Sequence, residues 1–176
     1  MKLLLHTCCA PCSAYVEQVL RPNFEVSLYY FNPNIHPKAE YQTRLAELKK
    51  YAAKYEINFI EAAYQPETWF AYIKGYEEEP EGGERCRLCY RMRLEATAKY
   101  AKENGFEHFT STLSISPHKK SAWINEIGKE LAEKYALNFL EADFKKQDGF
   151  KKSCEVSKEE GFYRQTYCGC VYSQRD

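Results

Sequence analysis

The chain has 176 residues, 25 basic against 25 acidic side chains, and 44% hydrophobic residues. That length suits one domain with its own hydrophobic core, so a bound metal is not needed to hold the fold together. The balanced charge excludes the strongly basic class of nucleic-acid proteins, though not a local basic patch, and no window approaches the ~20 apolar residues of a membrane span.

Residues 2–6 (KLLLH) read as a short buried strand. A turn carrying Cys8, Cys9, Pro11 and Cys12 follows, then a helix from about Ser13 with Tyr15, Val16, Val19 and Leu20 on its apolar side. Residues 25–31 (EVSLYYF) read as a second strand, closed by the turn Asn32-Pro33-Asn34. Over 39–55 the residues Tyr41, Leu45, Leu48, Ala52 and Tyr55 recur at helical spacing along one face. A strand INFIEAAY comes next, then a short helix at Glu67–Ile73 and an acidic loop from Tyr76 to Arg85. A long helix opens near Cys86, buries Tyr90, Leu94, Ala98 and Ala101, and stops at Gly105. Residues 107–112 read as a strand. Ser116 and Pro117 look like the N-cap and first residue of a helix bearing Ile124, Ile127, Leu131 and Tyr135. Residues 137–141 form a last strand. Beyond 143 the chain is polar and Lys-rich, with short helical pieces at best.

This alternation predicts α/β architecture: a single three-layer domain over residues 1–143, built on an open, mostly parallel sheet with helices on both faces. Residues 144–176 are expected to form a cysteine-bearing C-terminal extension, packed on the same domain and completing its site. In such sheets ligands bind beyond the carboxyl ends of strands. The loop holding Cys8, Cys9 and Cys12 lies at such an end.

Leu3–Leu5 is too short an apolar run for a signal peptide, so the expected location is cytoplasmic, where thiols stay reduced. Eight cysteines there call for metal binding or redox work. Seven are grouped: Cys8, Cys9 and Cys12 as C-C-x-x-C, Cys86 and Cys89 as C-x-x-C, and Cys168 and Cys170 as C-x-C. Cys154 stands alone and is best read as an ordinary small hydrophobe. Thiols at i and i+3 of a helical turn point the same way, and a helix start favours thiolate. Thiolates suit both zinc and iron–sulfur clusters. Against zinc stand the C-C-x-x-C form of the first group, its place after a sheet strand, and a thiol count above the four of a closed zinc site. The surplus points to a cluster plus a second redox or metal element. A Cys168–Cys170 disulfide would be strained and readily reduced; metal ligation by the same pair stays open.

Five runs carry a resemblance to a known family: His6-Thr7-Cys8-Cys9-Ala10-Pro11-Cys12-Ser13, Tyr30-Phe31-Asn32-Pro33-Asn34-Ile35-His36-Pro37, Gly82-Gly83-Glu84-Arg85-Cys86-Arg87-Leu88-Cys89, Thr112-Leu113-Ser114-Ile115-Ser116-Pro117-His118-Lys119, and Tyr163-Arg164-Gln165-Thr166-Tyr167-Cys168-Gly169-Cys170. Together they resemble the cobalamin-independent epoxyqueuosine reductases over nearly the whole chain. The resemblance implies a Rossmann-like fold and reduction of epoxyqueuosine in a tRNA anticodon to queuosine, fed by an electron donor. It also implies a 4Fe-4S cluster with a second mononuclear metal ion, such as iron, nearby. By resemblance Cys8, Cys9, Cys86 and Cys89 are the cluster ligands, Cys168 and Cys170 a redox-active pair, and Cys12 a candidate for the second metal. Spacing by itself would favour Cys9 and Cys12 with Cys86 and Cys89.

For the substrate, His36 and His118 lie in turns after predicted strands, and either is more often structural. Lys119 and Lys120 sit by a predicted helix start, a place for cations only if they meet phosphate. Lys145, Lys146, Lys151 and Lys152 read equally as a track for tRNA backbone or a solvated face. Arg164 and Tyr167, next to the C-x-C, are candidates to stack on the modified base. Two other functional classes stay open: a zinc-stabilised RNA- or nucleotide-binding module, and a thiol oxidoreductase working through its cysteines.

Overall fold

A computed structural model describes residues 1–174. Five strands, β1 (Lys2–Thr7), β2 (Glu25–Tyr30), β3 (Asn58–Glu61), β4 (His108–Ser111) and β5 (Asn138–Phe139), form one sheet in the order β3-β2-β1-β4-β5, every pair parallel. Six α-helices connect and follow them: α1 (Ala10–Leu20), α2 (Lys38–Lys54), α3 (Pro66–Tyr72), α4 (Glu84–Glu103), α5 (Ser121–Tyr135) and α6 (Gly149–Glu160).

The central strand reads LLL because it is covered on both sides. Leu3 and Leu5 join the core under α1 and α2, with Leu28, Leu45 and Leu48. Leu4 points to the opposite core, with Leu94, Phe109, Ile127 and Leu131 under α4 and α5. This is the three-layer α/β arrangement expected from the alternating pattern. Strand order reverses at β1: the chain runs outward through β2 and β3, then returns to β4 on the other side. The crevice beyond the carboxyl ends of β1 and β4 is therefore the topological switch point, where such sheets bind ligands.

Three local expectations are corrected. Helix α1 begins at Ala10, not near Ser13, because Pro11 suits the first turn and Cys9 takes the cap position. Cys12 thus lies inside the first turn. Ser116 and Pro117 do not open a helix. Ser116 Oγ accepts from the His118 amide at 3.3 Å and its carbonyl accepts from the Lys119 amide at 3.2 Å, making a turn; α5 starts only at Ser121. The tail is also more ordered than its composition indicates: α6 spans twelve residues and packs on α1. Its buried stripe is Gly149, Ser153 and Ser157, at i, i+4 and i+8. Small residues let the two helices approach closely, and a hydrophobicity pattern does not register them.

Candidate metal and active site

The switch-point crevice is built from the carboxyl end of β1 upward. His6 is fully buried, with Nε2 3.0 Å from the Phe31 carbonyl and Nδ1 3.1 Å from Ser111 Oγ. The carbonyl requires a proton on Nε2, so Nδ1 accepts from the serine, which in turn accepts from the Leu113 amide at 3.1 Å. Burial is the main reason the imidazole stays neutral, its pKa lowered to about 4. The ring ties β1 to both neighbouring strand ends just below Cys8.

Cys8, Cys9 and Cys12 then converge, their sulfurs all within 4.8 Å of one another and Cys8 Sγ 3.8 Å from Cys9 Sγ. Tetrahedral metal–thiolate bonds of about 2.3 Å place sulfurs about 3.8 Å apart, so this triad could bind a single metal ion. Hydrogen bonds from Cys12 and Cys9 hold the Cys8 thiol well below its ordinary range, and donating to Cys8 pushes Cys12 up. Gln165 Nε2 reaches Cys9 Sγ at 3.0 Å.

The other sulfurs form a second group. Cys86 and Cys89, in the first turns of α4, line one narrow cavity with Cys168 and Cys170. Burial raises both helix thiols, Cys89 to about 11. The Gly82 amide donates to Cys86 Sγ at 3.2 Å. Arg93, Lys119, Asn34 and Trp69 share this cavity. A second, wider cleft is lined by Cys8, Cys12, His118, Lys119, Tyr167 and Cys168. Cys168 and Lys119 border both, so seven sulfurs gather at one edge of the sheet in two groups with Cys168 between them. Cys154 belongs to neither group; it lines a third cleft that Cys12 also borders, 3.4 Å from Arg164 Nη2.

Polar atoms without partners mark the smaller cavity. Both carboxamide atoms of Asn34 and Arg93 Nε are buried and unpaired, although a buried polar group left without a partner costs roughly 1–3 kcal/mol, and Trp69 Nε1 is directed at the Cys89 sulfur. Four thiols ringed by free donors and a cation suit an anionic, thiolate-held group. The donor set therefore fits an iron–sulfur cluster or a thiolate-bound metal.

The C-x-C loop is held in place from below. Arg44, buried on α2, donates from Nη1 to the Cys168 carbonyl at 3.0 Å and from Nη2 to the Tyr167 carbonyl at 2.9 Å. Its Nε pairs with Glu40 at 2.9 Å. Gly169 adopts φ +130°, and a Cβ there would meet Ile35 at 2.9 Å, so only glycine lets the loop lie this close. His36 is placed here too, rather than in a cleft. Its amide donates to the Gly169 carbonyl at 2.8 Å, Nδ1 accepts from the Val171 amide at 3.2 Å, and Nε2 donates to the Pro33 carbonyl at 3.0 Å. Tyr167 donates its hydroxyl to the His36 carbonyl, while its ring lines the wider cleft.

Of the sequence-predicted substrate residues, His118, Lys119 and Tyr167 share that cleft; Arg164 lines the adjoining third cleft with Cys12 and Gln165. Lys119 is half-buried. Burial opposes its charge, but Cys168 and Cys8 outweigh that and hold its ammonium above the ordinary lysine range. Lys145 is not available as part of a basic track: its ammonium bonds the Ser114 and Lys119 carbonyls at 2.8 and 3.3 Å. Arg44, Arg93, Asn34, Trp69 and Gln165 were not singled out from sequence. Only Arg93 carried a usable signal, since it follows Cys86 and Cys89 by seven and four residues and so shares their helix face.

Among the described residues no helix is long and apolar enough to cross a membrane. A crystal structure of a predicted subunit of tRNA methyltransferase from Methanocaldococcus jannaschii matches the fold with TM-score 0.59 and 12% identity, covering 89% of this chain and 75% of that one. The family model described as epoxyqueuosine reductase QueH matches residues 3–176. A Haemophilus influenzae protein named epoxyqueuosine reductase QueH is 48% identical over 177 residues, covering 99% of this chain and 72% of its own. Relatives of the same name from Streptococcus pyogenes serotype M1 and Thermotoga maritima are 42% and 37% identical, covering 98% and 97% of this chain and 70% and 89% of theirs. With that match running through every cysteine of the crevice, the chain belongs to the epoxyqueuosine reductase QueH family.

Proposed function

We propose that this chain removes the epoxide oxygen of epoxyqueuosine in tRNA, giving the alkene of queuosine by a two-electron, two-proton reduction that releases water. The observation carrying this reading is the gathering of seven thiols from three distant stretches of chain at the switch point of the sheet, in a member of this family. The protein works in the cytoplasm, takes electrons from an external donor, and uses residues 1–143 as the scaffold and 144–176 to complete the site.

A 4Fe-4S cluster held by Cys8, Cys9, Cys86 and Cys89 would relay electrons one at a time from the external donor to the disulfide that the reaction forms. In this assignment Cys168 and Cys170 remain a dithiol. Two thiols and one epoxide then become one disulfide, one alkene and one water, and the external donor returns the pair to thiols. Arg44, His36 and Tyr167 keep the dithiol loop seated. Lys119 Nζ, beside Cys168 and Cys8, carries the positive charge and proton that meet the departing oxygen. His118 and the Tyr167 ring border the modified base, Arg164 a neighbouring nucleotide, and exposed Lys146, Lys151 and Lys152 meet phosphates.

A second ligand assignment is favoured by the two sulfur groups themselves. The triad spacing suits one metal ion, such as iron, on Cys8, Cys9 and Cys12, and the smaller cavity suits the cluster on Cys86, Cys89, Cys168 and Cys170. Iron content separates the two: Cys168→Ser keeps the cluster under the first and loses it under the second.

The test of the function is anaerobic reconstitution with iron and sulfide, followed by assay on tRNA carrying the epoxide. Brown protein that forms queuosine is expected. Colourless protein with one zinc that leaves the epoxide intact would favour a binding module. Turnover without metal that depends only on Cys168 and Cys170 would favour a thiol oxidoreductase.

A further inference from the structure

Three arginines are buried among the described residues, and two have evident partners. Arg44 bonds the carbonyls of Cys168 and Tyr167, and Arg85 those of Tyr76, Glu77 and Glu79. Arg93 is 1% exposed, yet its Nε is buried without a hydrogen-bond partner among the described residues. It stands one turn beyond Cys89 on α4, where the charges of Cys89, Cys168 and Cys8 bear on it most. With Asn34, whose side-chain nitrogen is also unpaired, and Trp69, it lines the cavity of the four thiols.

A charge in such a place needs an opposite charge nearby. No ion pair joins Arg93 to a carboxylate among the described residues; Glu81 lines the same cavity, and the charges that bear most on the guanidinium are those of Cys89, Cys168 and Cys8. Four thiolates around a divalent ion leave two net negative charges, and a reduced iron–sulfur group adds to that charge. A fixed cation in a low-dielectric pocket eases both binding and reduction of such a group.

We propose that Arg93 is the built-in counter-charge of the metal–thiolate group, a positioning residue that strengthens metal binding and raises the group's reduction potential. The inference rests on the reading of the smaller cavity as a metal–thiolate site.

Three variants of the full chain test it: Arg93→Met, Arg93→Lys, and Arg91→Met, which removes a charge paired with Glu130 on the exposed side of the same helix. In metal-free protein a counter-charge without its anion is a burden, so apo Arg93→Met is expected to melt no lower than wild type. Its cobalt(II) affinity, read from thiolate-to-cobalt absorption, should fall at least tenfold. In reconstituted holoenzyme its midpoint should drop by at least 59 mV, a tenfold change for one electron. Arg93→Lys should lie nearer wild type than Arg93→Met does, and Arg91→Met should match wild type throughout. An apo Arg93→Met chain that unfolds would show Arg93 to be a structural residue and overturn the inference. Cobalt affinity within twofold of wild type together with a midpoint within about 18 mV of it, a twofold change for one electron, would do the same. Wild type that binds cobalt(II) through thiolates but takes up no cluster sinks the cluster reading and leaves Arg93 to the cobalt series. Wild type that binds neither sinks both.

Discussion

Replacing Arg44 with Met should loosen the C-x-C loop while leaving the sheet intact. The side chain is almost wholly buried, and its two terminal nitrogens bond the carbonyls of Cys168 and Tyr167 at 3.0 and 2.9 Å. Hydrogen bonds from a charged donor are worth about 1.5–3 kcal/mol each, so the pair contributes roughly 3–6 kcal/mol to holding the loop down. The loop can lift and rehydrate its carbonyls, so global stability should change less than local opening does. At about 3 kcal/mol, amide exchange through loop opening should speed roughly a hundredfold. The reporters are the amides of His36 and Val171, which bond Gly169 O and His36 Nδ1 at 2.8 and 3.2 Å. Exchange is measured on apo protein by mass spectrometry, with Leu3–Leu5 of β1 as the internal reference. Arg44→Lys keeps the charge but not the two-pronged geometry, and should fall between. Unchanged exchange at Val171 in Arg44→Met would refute the idea that this arginine holds the loop.

Acid should destabilise the fold in a defined window. Burial lowers the pKa of His6 to about 4 and also lowers that of His36, whereas an unfolded histidine titrates near ~6.5. From about pH 6.5 down to about 4 the unfolded chain binds more protons, so stability falls with pH, with His6 accounting for about 3 kcal/mol at the lower end. Urea midpoints at pH 7.5 and 5 should separate less in His6→Asn than in wild type, and equal separation would count against this. Gly149→Ala should cost about 1–3 kcal/mol or more by overpacking, since the new Cβ would lie 1.7 Å from the Phe144 carbonyl. Gly161→Ala, at φ +69° with open space around it, should cost only about 1–2 kcal/mol of backbone strain. Thermal melts that fail to rank the two this way would show that α6 shifts easily on α1. Cys86→Ser and Cys89→Ser should each lose iron and turnover together, while Cys154→Ser, outside both sulfur groups, should keep turnover within about twofold.

What the residue pattern determined by itself was whatever depends on short range. The LLL run marked a strand covered on both faces, and the stripes on α2, α4 and α5 marked buried sides, because apolar burial imposes periods of two and 3.6. The spacing of the paired cysteines marked sulfur chemistry, because residues at i and i+3 share a helix face whatever the fold. The α6 stripe stayed hidden, since glycine and serine pack closely without being hydrophobic. Tertiary structure alone decided which sulfurs meet. Cys12 joins Cys8 and Cys9 through the early start of α1, and Cys168 and Cys170 reach Cys86 and Cys89 because Arg44 and His36, more than 120 residues away in sequence, bond the loop that carries them. The direction of His36 and the isolation of Arg93 belong to the same class. Partners and burial come from elements far apart in the chain, and no local pattern records a neighbour that folding alone supplies.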